Sequence, residues 1–337
     1  MINIIYNYDS NPNYHHYETI KNFLKEIKGN DSIKSEENLK YEILYKINSI
    51  DELKEKFEKQ ILEKIYKIEI NVGHLKDLSI FNGKKLDNLK FLSIIGTKLE
   101  DISALTTCSF KNLTNLGFQS NCLNNNCISV FEKLELPKIE NIYLSNNKIT
   151  SPKIISIMKK FENLKLLYIG GNKFDEDEIN EIKKKKIEYT FPPKFEEFGI
   201  GNCLTSETND FITNNMIINN IKLLYVSNNG FTNFDSFKNV EFTQLEEIWC
   251  SGSKDKGYIS DIKEIGKLNK KENIKKIVLQ QNQINNIQEL PNIIQPFKNL
   301  KSLDLRNNPI GKEKAENVLK KIKEMDGFKE FEILYGK

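Results

Sequence analysis

Along most of this chain the apolar residues fall in one recurring order: apolar-x-x-apolar-x-apolar, two further positions, a small polar residue, then another apolar residue. The stretch "IENIYLSNNKI" is typical, with Ile139, Ile142, Leu144 and Ile149 apolar and Asn147 set among them. Alternation over Ile142, Tyr143 and Leu144 is the signature of a half-buried strand, in which successive side chains face opposite sides. The polar slot holds Asn121, Asn147, Asn172, Asn229, Asn282 and Asn308 in six full copies, and Cys203, Thr97, Ser253 and Gly73 in weaker ones. Successive slots lie 24, 24, 26, 25, 31, 26, 24, 29 and 26 residues apart, which makes ten copies. A repeat of this length predicts a stacked array, because one unit cannot bury its apolar side alone.

These residues resemble the signature of the leucine-rich-repeat family, L-x-x-L-x-L-x-x-N/C-x-L, from about Ile65 to Ile322. The resemblance implies an α/β solenoid: a right-handed curved horseshoe with a parallel sheet on its concave side and a mixed helical and irregular convex side. It points to an irregular, ribonuclease-inhibitor-like subclass. The slot residues Asn121, Asn147, Asn172, Cys203, Asn229, Asn282 and Asn308 are expected to form a buried ladder, since a buried amide needs hydrogen-bond partners and the neighbouring turns supply them.

Between the strands, Ile154, Ile157, Met158 and Phe161 share one helix face, as do Ala315, Val318, Leu319 and Ile322. The 24-residue copies leave room for a single turn or extended chain. The 31-residue interval carries four lysines at 183–186 and Pro192-Pro193, and local distortion is expected there. Residues 1–64 read as a helix-strand-helix N-terminal cap. Ile20, Phe23, Leu24 and Ile27 mark a first helix, and Tyr41, Ile43, Tyr45 and Ile47 a strand. Ser49 and Glu52 box the start of a second helix through Leu53, Phe57 and Ile61. Ten repeats follow over 65–326, and 327–337 form a truncated capping strand with Phe328, Phe331 and Ile333.

If Ile142 and Leu144 point inward, Tyr143 points out of the concave sheet. Its slot holds, in order, Glu69, Ser93, Gly117, Tyr143, Tyr168, Gly199, Tyr225, Trp249, Val278 and Asp304. Four of the five repeats from the fourth to the eighth thus carry a ring, including the single tryptophan of the chain. Strands about 4.8 Å apart would set these rings in a ribbon. Leu166 and Leu223, two positions earlier, add apolar area, with Phe91 beyond, and Gly170, Gly171, Gly199 and Gly201 leave floor space. Exposed aromatic clusters are what interface cores are made of. The expected site is therefore a protein or peptide partner on Tyr143, Tyr168, Tyr225, Trp249, Leu166 and Leu223, with Gln280, Gln281, Asp304 and Arg306 as a polar rim.

Composition narrows the choices. Fifty basic and 47 acidic residues leave a net charge of +3, which makes nucleic acid or an anionic membrane a poor match. No apolar run is long enough to span a bilayer, and the opening "MINIIYNYDS" has no basic n-region, so no secretory signal is expected. Five scattered cysteines do not form a disulfide framework. The expected setting is intracellular and cytoplasmic.

Candidate chemistry is sparse. His15 and His16 adjoin one another but make a poor metal site, His74 stands near no nucleophile motif, and Cys203 falls in the ladder slot. No phosphate-binding glycine loop occurs around Gly170-Gly171. The lysines of 183–186 and 267–276 read as a solvated convex face. No enzyme activity, cofactor or metal is expected, and the expectation is a non-catalytic protein-interaction scaffold. Three alternatives stay open. One is an F-box-like ubiquitin-ligase adaptor, from Glu42, Ile43, Leu44 and Ile47 in "NLKYEILYKI", although the opening Leu-Pro is missing and no Trp follows within the next forty residues. The others are an enzyme regulator and a ribonucleoprotein component.

Overall fold

A computed structural model describes residues 2–3, 41–45, 65–70, 75–253 and 258–336. Thirteen parallel strands form one sheet in strict chain order. They are β1 (Ile2–Asn3), β2 (Tyr41–Tyr45), β3 (Ile65–Ile70), β4 (Phe91–Ile94), β5 (Asn115–Gly117), β6 (Asn141–Tyr143) and β7 (Leu166–Tyr168). The series continues with β8 (Glu197–Gly199), β9 (Leu223–Tyr225), β10 (Glu247–Trp249), β11 (Lys276–Val278), β12 (Ser302–Asp304) and β13 (Glu332–Leu334). This is the α/β leucine-rich-repeat horseshoe expected from the repeat. The segment with the F-box-like letters supplies β2, which pairs in parallel with β3. The two helices expected near the N-terminus, and His15, His16, Gly73 and His74, lie outside the described residues.

Eight strands, β4 to β9, β11 and β12, leave the sheet through one left-handed residue set directly before the polar slot. Gly96, Ser120, Asn146, Gly171, Asn202, Asn228, Gln281 and Asn307 all have φ between 54° and 76°. Asparagine and glycine tolerate that region best, which explains the Asn-Asn pairs at 146–147, 228–229 and 307–308. The turn drives the next side chain inward, and the ladder forms. The Asn172 Nδ2 donates to the carbonyls of Leu144 (3.0 Å) and Ile169 (2.7 Å), while its Oδ1 accepts from the Ile149 N–H (3.0 Å). Asn147 repeats this with Phe118 O, Leu144 O and the Leu123 N–H, and Asn308 with Leu279 O, Leu305 O and the Ile284 N–H.

Asn121, Asn229 and Asn282 bond in the same way, so each amide ties its own turn to the one before it. Cys203 substitutes a thiol, with its Sγ 3.3 Å from the Ile169 carbonyl. Thr97 is buried and donates its hydroxyl to Asn121 Oδ1 (2.9 Å), whereas Ser253 is only half-buried.

The convex returns follow interval length. All three described 24-residue intervals use a single 3-10 turn, at Ser79–Phe81, Ser103–Thr107 and Asp235–Asn239. Longer intervals hold α1 (Asn126–Lys133), α2 (Lys153–Ile157), α3 (Glu176–Lys185), α4 (Phe211–Asn214), α5 (Leu290–Ile294) and α6 (Lys312–Lys323). The 29-residue interval departs from this, with 3-10 turns at Ile262–Lys267 and Lys271–Asn273. Returns this short and mixed give no support to the ribonuclease-inhibitor-like subclass expected from the sequence. Between sheet and returns runs one continuous core, in which Phe118, Phe131, Phe198, Phe211, Phe234, Phe242 and Phe297 are fully buried.

The 31-residue interval does not distort the sheet. Leu166, Leu167 and Tyr168 still face Glu197, Phe198 and Gly199 in register. The extra length is taken up on the convex side by α3 and by a bridge between Tyr189 and Met216. Asp175 caps α3 by accepting from the Glu178 N–H, the first turn is acidic, and the lysines at 183–185 sit in the last turn where a helix dipole favours cations. That lysine run is helix-end chemistry, and Lys183 is further held by Asp210 at 2.7 Å.

Removing one rung of the ladder should be costly. Asn172→Ala strands the Ile149 N–H inside the core, and the unfolding free energy is expected to fall by about 3 kcal/mol in urea denaturation. A loss below about 1 kcal/mol would show that the amide is not a structural requirement.

Candidate concave interface

Side-by-side pairing of the strands sets one slot from each repeat into a row across the concave face. Ser93 faces Gly117, Gly117 faces Tyr143, and Tyr143 faces Tyr168. The row continues through Gly199, Tyr225, Trp249, Val278 and Asp304. The four rings form two contacts, not one unbroken ribbon. Tyr143 and Tyr168 stack with centroids 5.8 Å apart and planes at 23°, and Tyr225 and Trp249 meet at 6.1 Å and 40°. Gly199 separates the pairs.

The glycines do more than leave space. A Cβ at Gly199 would land on Cδ1 of Tyr168, and one at Gly201 would land on Cε1 of Tyr225. Both rings therefore lie over the glycine backbone at β8. Between them is a recess of about 320 Å³, lined by Tyr168, Gly170, Gly199, Leu223, Tyr225 and Trp249. Leu166 and Leu223 are half-buried in the row two residues earlier in each strand.

That earlier row carries residues which sequence reasoning did not single out. In order it holds Asn141, Leu166, Glu197, Leu223, Glu247, Lys276 and Ser302. The signal was available, because residues i and i+2 of a strand share a face, so the positions two before Gly199, Trp249 and Val278 face the same way as the rings. In the sequence, Lys276 reads with its neighbours as part of the convex face. Its Nζ instead stands 4.5 Å above the Trp249 ring, a cation–π contact. The Trp249 indole N–H donates to Glu247 Oε2 at 3.1 Å. One residue earlier, Glu140, Glu196 and Glu246 are each neutralised, by Lys165 at 3.0 Å, Lys222 at 2.8 Å and Lys275 at 2.7 Å. Glu197 and Glu247 have no ion-pair partner among the described residues.

The field of Glu197 reaches the rings. Burial, and then the Glu197 charge, push the Tyr168 phenol up to about 12, and the same two causes in the same order raise that of Tyr143.

At the C-terminal end the expected rim changes character. Asp304 is not a free acid: its side chain is 2% exposed, and its carboxylate accepts from Arg306 Nη2 at 2.7 Å and from Gln280 Nε2 at 2.6 Å. Burial raises the carboxyl, but the Arg306 fork and the Gln280 amide outweigh it, and the net effect is a pKa below the usual value. Asp304 therefore positions Gln280 and Arg306, which are the groups left at the surface, together with the exposed Gln281. Val278, between Trp249 and Asp304, is fully covered.

Elsewhere the chemistry is structural. Burial pushes the Cys108 thiol up to about 11, that of Cys127 up to about 12, and that of Cys250 higher still, far from thiolate character. Among the described residues no three His, Cys, Asp or Glu side chains cluster in a metal-holding group. Nor is any helix there long and apolar enough to cross a membrane.

Because the chain has a single tryptophan, packing in this row can be read optically. Gly201→Ala forces Tyr225 away from its place beside Trp249. The expected result is a changed Trp249 emission maximum with a stability loss of about 1–3 kcal/mol. An unaltered emission spectrum would show that the ring does not rest on Gly201.

The family model described as Leucine Rich Repeat matches residues 299–320, the copy that carries Asn308. No curated protein matches the chain. Among solved structures, it is similar to an internalin from Listeria monocytogenes, at 18% identity over 85% of this chain and 88% of that one, with a TM-score of 0.42. A leucine-rich-repeat protein from Leptospira interrogans is similar at 21% identity over 82% and 74% of the two chains, with a TM-score of 0.44. The matched copy, its five full sequence counterparts and the ladder they build lead to one statement: the fold of this chain is a solenoid of leucine-rich-type repeats.

Proposed function

We propose that this protein is a non-catalytic interaction scaffold whose concave face binds a protein or peptide partner. The observation that supports this most is the lateral row of Tyr143, Tyr168, Tyr225 and Trp249 on a rigid sheet, with Tyr168 and Tyr225 seated over Gly199 and Gly201. A surface already ordered by its fold loses little entropy on binding, and half-buried aromatic rings are the side chains that dominate interface energetics. Leu166 and Leu223 extend the apolar area, and Gln280 and Arg306, held by Asp304, supply polar contacts at one end. Free cysteines, three of them buried, fit a reducing interior, and we place the protein in the cytoplasm.

The test is capture of a partner by the wild type beside the variant with alanine at 143, 168, 225 and 249, both first shown to be equally folded. After the captured protein is identified and purified, its affinity for the variant is expected to drop at least about 100-fold. Equal binding by the two proteins would place the interface elsewhere.

A further inference from the structure

We propose that the recess between Tyr168 and Tyr225 takes the arginine side chain of an extended partner segment, with Glu197 as its counter-charge. This rests on the reading of the concave face as the partner site and names the chemistry of its guest.

The recess combines two features that an apolar guest cannot satisfy together. Its walls are the rings of Tyr168, Tyr225 and Trp249 over the Gly199 backbone. Directly beside it on the same face, Glu197 lies between Leu166 and Leu223, and Glu247 lies between Leu223 and Lys276. The acids immediately preceding these two each have a lysine partner, whereas Glu197 and Glu247 have none among the described residues.

A partner seated on the rings would strip water from both carboxylates. An apolar guest leaves Glu197 desolvated with no cation paired to it, only the Tyr168 phenol as a hydrogen-bond partner, and an acidic guest adds repulsion. A cation satisfies carboxylate and ring face together. The molecule already contains a version of this contact, since the Lys276 ammonium sits 4.5 Å above Trp249. The hydrogen bond from the indole to Glu247 makes that ring richer in electrons. Arginine fits better than lysine because a planar guanidinium stacks on a ring while its edge donates to a carboxylate. Burial first, and then the Glu197 charge, raise the phenol of Tyr168, so the negative field of Glu197 reaches the wall of this recess.

The experiment uses the full chain to select binders from a displayed random heptapeptide library. The wild type, Glu197→Gln and the four-alanine variant are probed in parallel, with folding checked by circular dichroism. Peptides selected by the wild type are expected to share an arginine. Replacing it with citrulline, nearly isosteric and uncharged, should weaken binding about tenfold in a Trp249 fluorescence titration. In Glu197→Gln the same replacement should cost less than about threefold, because the counter-charge is already gone. Two results would overturn the inference alone: selected peptides that need the aromatic row but share no basic residue, or an equal citrulline penalty in wild type and Glu197→Gln. Peptides that bind the four-alanine variant as well as the wild type, or no selected peptides at all, would overturn the concave-face reading and this inference with it.

Discussion

The buried side-chain amide at the end of each strand is the interaction on which the rest of this molecule depends. A chain that leaves a sheet after only three residues exposes backbone N–H and carbonyl groups to an apolar core, where an unmet group costs about 1–3 kcal/mol. Asn147, Asn172, Asn229, Asn282 and Asn308 meet that demand with one side chain each, donating to carbonyls of two successive turns and accepting from an N–H of the earlier one. The left-handed residue before each amide brings it inward. Register between repeats follows, because an amide that links two turns also fixes how they stack.

Fixed register turns a one-dimensional sequence pattern into a surface. A residue type chosen at one slot recurs about 4.8 Å away on the next strand, so four rings scattered over more than a hundred residues become neighbours. Small residues at β8 then matter as much as the rings. Gly199 and Gly201 let Tyr168 and Tyr225 fold down onto the backbone and open a recess between two ring pairs. The charges are arranged in rows of their own. Glutamates at the strand entrance are closed off by lysines, while those one residue further in face the recess beside the rings.

Much of this was legible in the sequence, and the failures have physical causes. Repeat length, slot identity and the concave row could be read because each depends on strict local spacing. The three 24-residue intervals were legible for a similar reason, since little chain leaves little choice of return. The 31-residue interval misled, because an insertion that suggested distortion is absorbed on the convex side, where nothing enforces register. Lys276 misled because it was read as part of a lysine run, while its strand position puts it on the concave face. Asp304 looked like a rim acid, yet Arg306, two residues on and on the same face, closes over it. The left-handed turns were encoded in plain view by the Asn-Asn pairs, but the second asparagine of each pair drew attention from the first.

The measurement that tests this account most directly is native-state hydrogen exchange at the amides that donate to the ladder. The N–H groups of Leu123, Ile149, Leu204, Ile259 and Ile284 each donate to an asparagine Oδ1 in the next repeat, at 2.9–3.0 Å. They lie outside the strands, in segments that would exchange quickly if they were ordinary loops. If the ladder fixes the solenoid, these amides exchange as slowly as the strand amides of Leu167 and Leu224, through unfolding of the array. Exchange at loop-like rates while the strands remain protected would contradict the claim that the amides hold the repeats in register.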